Sequence, residues 1–73
     1  MDARLLTSAK QVFLELGGIA EVARLTGSNY SAAANWSHEN KFPARTYITL
    51  QRELARKECT APDELWGMSP PVS

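Results

Sequence analysis

Residues 22–36 read V-A-R-L-T-G-S-N-Y-S-A-A-A-N-W, and no other stretch limits the fold as tightly. Ala23 is small, Gly27 follows four residues later, and Trp36 stands nine beyond the glycine. Two short helices crossing steeply over a tight turn need these residue types in this order. At the crossing only a small side chain lets the two backbones approach, which suits Ala23. The first helix has to stop in a left-handed residue, which suits Gly27. The second has to anchor itself in a core through one large apolar side chain, which suits Trp36.

The rest of the chain is expected to form around that bend. Seventy-three residues make one domain with one small core. An apolar content of 44% is that of a globular chain rather than a disordered one. There is no repeat, no low-complexity segment and no strand-like alternation of useful length. The fold class is therefore read as all-α, a compact bundle of about five helices over residues 1–68, with a disordered tail over 69–73.

Asp2 is a good cap for a first helix, whose apolar stripe runs Leu5, Leu6, Ala9, Val12, Phe13 and Leu16. Gly17-Gly18 ends it. A second helix is expected over Ile19–Thr26, with Ile19, Val22 and Ala23 inward. Asn29 caps a third, which begins at Tyr30 and frays near Glu39 or Asn40. Pro43 suits the first turn of a fourth helix, with Tyr47, Ile48, Leu50 and Leu54 inward. Thr60-Ala61-Pro62-Asp63 reads as a capping box with aspartate in place of glutamate. It opens a short fifth helix that carries Leu65 and Trp66 onto the core.

Net charge is zero, which counts against a nucleic-acid binder until the distribution is considered. Residues 24–52 hold Arg24, Lys41, Arg45 and Arg52 against Glu39 alone, with His38 in addition. The segments on either side are net acidic. Positive charge therefore gathers around the expected third helix. On that helix Ala32, Ala33 and Trp36 fall on one side, and Tyr30, Ser31, Ala34, Asn35 and His38 on the other. Trp36 fixes the core side, so the second set faces outward.

That outward face is polar, nearly uncharged and small at its centre, which suits the floor of a DNA major groove. Asn35 can pair with the N6 and N7 edge of adenine, Ser31 can donate or accept, and the Ala34 methyl can meet a thymine methyl. Asn29 and Tyr30 stand at the helix start, where phosphates are commonly held. His38, Lys41 and Arg45 follow and are suited to backbone phosphates. Any solvated helix also has a small polar face, so the reading depends on its combination with Ala23, Gly27 and Trp36.

With those residues in view, residues 17–36, G-G-I-A-E-V-A-R-L-T-G-S-N-Y-S-A-A-A-N-W, resemble the Cro and C1 repressor-like helix-turn-helix domains of phages and bacteria. The chain is particularly similar to short Cro-like proteins with alanine, glycine and tryptophan in these places. Lys41-Phe42-Pro43-Ala44-Arg45 also fits, and with the flanking helices the resemblance covers about residues 3–67. It implies a lambda-repressor-like DNA-binding domain. Ser31, Ala34 and Asn35 would lie where such proteins touch bases, with Tyr30 as a further base-contacting candidate. Arg24, Lys41 and Arg45 would lie near phosphates. The chain departs from the pattern at Ile19 and Tyr30, where many members carry glutamine. It departs again at Thr26, where leucine is usual and where Leu25 is expected to take over part of the packing.

The function this implies is sequence-specific, double-stranded DNA binding by a transcriptional regulator, most simply a repressor. Such a domain is expected to act as a homodimer, because one short helix reads only ~4–5 base pairs. The fifth helix, with Leu65, Trp66 and Met68, is the candidate dimer surface, against the reading that Leu65 and Trp66 complete the monomer core. RNA polymerase or another regulator is a further possible partner. The alternative function is a protein-interaction module on the same fold, favoured by zero net charge and the absent glutamines.

An enzyme is not expected. His38 and Cys59 are 21 residues apart, without metal-site spacing, and there is no glycine-rich phosphate loop. No metal, cofactor or small-molecule ligand is expected. Cys59 reads as an apolar filler at the end of the fourth helix. No apolar run approaches the ~18 residues of a membrane span. The N-terminus does not read as a signal peptide and the single cysteine forms no internal disulfide, so a cytoplasmic protein is expected.

Overall fold

The first and third helices of this chain begin where a side chain caps them, at Ser8 and Asn29. The computed structural model describes residues 4–67, which are mostly helical. They form α1 (Ala9–Leu16), α2 (Ile19–Thr26), α3 (Tyr30–Glu39) and α4 (Tyr47–Arg56). Single 3-10 turns occupy Ala44–Thr46 and Asp63–Trp66, and β1 (Arg4–Leu5) pairs in parallel with β2 (Cys59–Thr60).

The first three helices share one ending. Gly17, Gly27 and Asn40 each take the left-handed conformation just past α1, α2 and α3. In each case the next residue's N–H reaches back to a carbonyl of the last turn: Gly18 to Phe13, Ser28 to Ala23 and Lys41 to Trp36, at 2.7, 2.9 and 3.1 Å. The left-handed residue's own N–H adds a second, longer bond, Gly17 to Leu14, Gly27 to Arg24 and Asn40 to Ser37, and the pair satisfies carbonyls the helix cannot. The end of α3 is therefore a sharp stop at Asn40, where fraying was expected. Asn40 does a second job, because its Oδ1 accepts the Ala9 N–H at 2.7 Å and so ties the end of α3 to the start of α1.

The core lies between the four helices. Leu6, Ala9, Val12, Phe13 and Leu16 meet Val22, Ala23, Ala33 and Trp36, and α4 contributes Leu50 and Leu54. Phe42 is its aromatic hub, with ring centroids 5.5 Å from Phe13, 6.2 Å from Trp36 and 5.1 Å from Trp66. Trp66 is buried and still finds a partner for its indole N–H in Thr46 Oγ1, at 3.1 Å. The Thr46 hydroxyl in turn donates to the Pro43 carbonyl at 2.8 Å. Tyr47 stands edge-on to Trp66 and donates to Asp63 Oδ1 at 2.6 Å, a hydrogen bond that raises the Tyr47 pKa above its ordinary value.

Several sequence expectations are corrected. The first helix begins at Ala9, not after Asp2, which lies outside the described residues. Ser8 caps it, accepting from the Gln11 N–H, and Gln11 Oε1 accepts from the Thr7 N–H at 2.6 Å. Ser8 and Gln11 stand at capping-box spacing. Leu5 and Leu6 precede that cap in extended chain, so Leu6 is buried while Leu5 is exposed. The fifth helix is only the 3-10 turn Asp63–Trp66, and the expected box at its start does not form, because Thr60 belongs to β2 and Pro62 takes the cap position. Ile48, expected inward, is 68% exposed. Cys59 is buried as expected, but in β2, beyond the end of α4. Among the described residues no helix is long and apolar enough to cross a membrane. Met68 and the tail over 69–73 lie outside the described residues.

Candidate nucleic-acid interface

The outward face of α3 is built by what holds its inward face. Ala33 and Trp36 are buried and Ala32 packs against the core from its edge. Tyr30, Ser31, Asn35 and His38 are exposed on the other side, and Ala34 is half-buried between them. This is the division the helical spacing required. Tyr30 is 60% exposed, which is unusual for so large an apolar ring and gives the start of α3 an aromatic surface.

Local chemistry fixes the helix start. Asn29 Oδ1 accepts the Ala32 N–H at 2.8 Å, so this oxygen is committed to the cap and only its amide group is free to face a phosphate. Gly27 and Ser28 make the turn from α2, which packs on α3 and buries Ala23 in the core. Thr26 ends α2 with a hydroxyl that donates to the Val22 carbonyl at 2.9 Å. A polar residue is thus satisfied where an apolar one was expected, and Leu25 beside it is only half-buried.

The cations divide into engaged and unengaged. Arg24 is paired with Glu21, whose hydrogen bond and negative charge raise the Arg24 pKa further. It borders a surface hollow with Glu21, Glu53 and Lys57, which offers a phosphate acidic company. Arg45 is turned onto the α2–α3 turn. Its Nη2 donates to Ser28 Oγ at 2.9 Å, and its Nη1 reaches the Thr26 carbonyl at 3.5 Å. The guanidinium carbon lies 5.9 Å from the centre of the Trp36 ring. The Lys41 side chain crosses Gly67 so closely that a Cβ there would meet its Cε at 2.9 Å. His38 remains exposed on the last turn of α3.

The structure therefore brings together Asn29, Tyr30, Ser31, Ala34, Asn35 and His38 along one helix, with Arg45 behind the turn. It pairs Arg24 with Glu21 instead, and leaves Lys41 exposed just past the end of α3. Sequence reasoning missed Ser28 and Thr26 as the partners of Arg45, because nothing in a separation of 17 residues announces that contact. Arg52, counted there only as charge, is exposed on α4 four residues after Ile48 and seven after Arg45. Leu65 and Trp66, the candidate dimer surface, are 5% and 2% exposed and belong to the monomer core.

Among the described residues no group of histidine, cysteine and carboxylate side chains is placed to hold a metal ion. No family model, curated protein or solved structure matches the chain.

Proposed function

We propose that the chain is a helix-turn-helix DNA-binding regulator of the Cro/C1 repressor-like kind that reads the major groove with α3. One observation carries this reading. A helix capped at both ends buries Ala33 and Trp36 and presents Tyr30, Ser31, Asn35 and His38 to solvent, with half-buried Ala34 at the centre. Asn35 and Ser31 are the base-reading groups, Ala34 and Tyr30 supply apolar contact, and His38, Asn29 and Lys41 meet phosphates. The simplest action is repression by a homodimer in the cytoplasm, with two half-sites multiplying the specificity of one short helix. No catalytic role, cofactor or small-molecule ligand is part of the proposal.

Because Arg24 is paired within the chain, the salt dependence should be shallow. About two or three charged phosphate contacts across the homodimer, Lys41 from each copy foremost, give a slope near −2 to −3 in log affinity against log salt. Fluorescence anisotropy on labelled duplexes selected from the source genome, at two salt concentrations, tests this. Absence of binding to any fragment at low salt rejects the proposal. Asn35→Ala should cost about 1–3 kcal/mol on the selected duplex and almost nothing on a scrambled one. Equal losses on both would remove Asn35 from base reading.

A second reading, a protein-interaction module or co-regulator, has its own support. Leu14 and Leu5 are 80% and 59% exposed, on elements other than α3. A chain that binds no duplex but loses a protein partner on substitution of Leu14 would decide for it.

A further inference from the structure

We propose that Arg45 is a positioning residue that latches the α2–α3 turn and so sets the orientation of α3, and that it is not a phosphate contact. This builds on the DNA-binding reading, but the latch itself is a property of the free protein.

The guanidinium touches three pieces of the bend at once. It donates to Ser28 in the turn, reaches the last carbonyl of α2 at Thr26, and covers the ring of Trp36 on α3. Ser28 Oγ also lies 3.2 Å from Thr26 Oγ1, whose hydroxyl bonds back to the Val22 carbonyl. A continuous polar chain therefore runs from Arg45 through the turn into α2. Its far end is equally well held. Arg45 sits in the 3-10 turn beside buried Thr46, which bonds to Pro43 and accepts from Trp66. The latch therefore ties the α2–α3 turn, and the outer face of the Trp36 ring, to the segment that holds the aromatic core.

The chemistry is specific to arginine. A planar fork can serve two acceptors in different directions while its face lies on an aromatic ring. A lysine ammonium is a single point charge and cannot do both. A phosphate contact is different, because lysine keeps the charge and most of the attraction. Engagement with Ser28 and Thr26 also directs the donors of Arg45 toward the protein, where an approaching phosphate would have to displace them.

The test compares Arg45→Lys and Ser28→Ala with the unaltered full chain in two measurements. The first is amide hydrogen exchange without DNA. The latch predicts exchange about two- to tenfold faster at the Ser28 and Ala33 amides in both variants, from loss of a hydrogen bond. The Val12 amide in α1 should be unchanged. Equal acceleration at Val12 and Ser28 would make Arg45 a general stabiliser, and no change at Ser28 would remove the latch. Either result overturns the proposal. The second measurement is anisotropy on the selected and scrambled duplexes across a salt series. Arg45→Lys should lose preference for the selected duplex with the salt slope unaltered, and Ser28→Ala should do the same although it removes no charge. Full retention of preference by Arg45→Lys, or a slope made shallower by about 0.9 per monomer in Arg45→Gln, would identify a phosphate contact instead. If the unaltered chain binds no duplex, the DNA-binding reading fails, while exchange at Ser28 still decides the latch.

Discussion

The bend between α2 and α3 and the strand pair that joins the two flanks of the domain are stabilised by opposite kinds of information. In the bend almost every backbone requirement is met within five residues. Asn29 caps α3 through Ala32, Gly27 and Ser28 close α2 through Arg24 and Ala23, and Thr26 bonds to Val22. In the strand pair each requirement is met across the whole chain. The Arg4 N–H donates to the Glu58 carbonyl and Leu6 to Thr60, and the Arg4 guanidinium approaches Cys59 Sγ at 3.6 Å. The first region can begin to form on its own. The second exists only once α1 and α4 lie side by side, because a two-residue ladder has too few hydrogen bonds to outweigh the entropy of closing so long a loop.

The comparison is tested most severely at the residue that ties the bend to everything else. Trp36→Ala should cost about 3–5 kcal/mol, the loss expected for a large buried aromatic, and leave little folded protein in a domain this small. Thermal denaturation followed by circular dichroism measures it. A fold that survives with a modest loss would mean that local capping, not the anchor, holds the bend.

Leu6→Ala asks the same of the other region. Leu6 is 5% exposed and lies in extended chain directly after β1, so its removal should cost about 2–4 kcal/mol. Urea denaturation is the measurement. A loss below about 1 kcal/mol would show that the flank only decorates a core made by the helices.

These two regions also mark what could be read in the chain beforehand. The bounds of α2, the Asn29 cap, the Gly27 stop and the inward and outward faces of α3 were legible because side chain and backbone partner lie within a turn of each other. Ser8 and Gln11 formed an equally local signal that was overlooked, since Leu5 and Leu6 extend the apolar stripe of α1 backward and mask its start. The pairing of Arg4 with Cys59 had no local signal at all. Nor did the contact of Arg45 with Ser28, so the charge of Arg45 could be counted but its commitment could not. The candidate interface was therefore legible in its exposed face and illegible in its support. Trp66 illustrates the same limit, because only the aromatic hub at Phe42 decides whether it completes a monomer or a dimer.

Smaller effects sharpen the contrast within the bend. Gly27 has φ of 68° and open space where a Cβ would stand, so Gly27→Ala is strained by conformation alone and should cost about 1 kcal/mol. Gly27→Asn should recover most of it, because asparagine tolerates the left-handed region, as Asn40 does at the end of α3 with φ of 55°. Equal losses in the two variants, compared by urea denaturation, would locate the cost in packing and not in backbone conformation.

The smallest expected effect is at Leu14, where the sequence stripe and the structure agree that the side chain faces away from the core. It is 80% exposed on α1, between the shallow grooves flanked by Leu5 and by Ile19. In an isolated molecule Leu14→Lys should change stability by no more than about 0.5 kcal/mol, because it removes little buried area and helix propensity is nearly the same. The measurement has to be made at several protein concentrations. If stability of the unaltered chain rises with concentration and the Leu14→Lys variant loses that rise, Leu14 is covered by a second copy, since only association makes stability depend on concentration. If neither depends on concentration, Leu14 is a solvated leucine in the free monomer, and any dimerisation has to come from pairing on adjacent half-sites of one duplex.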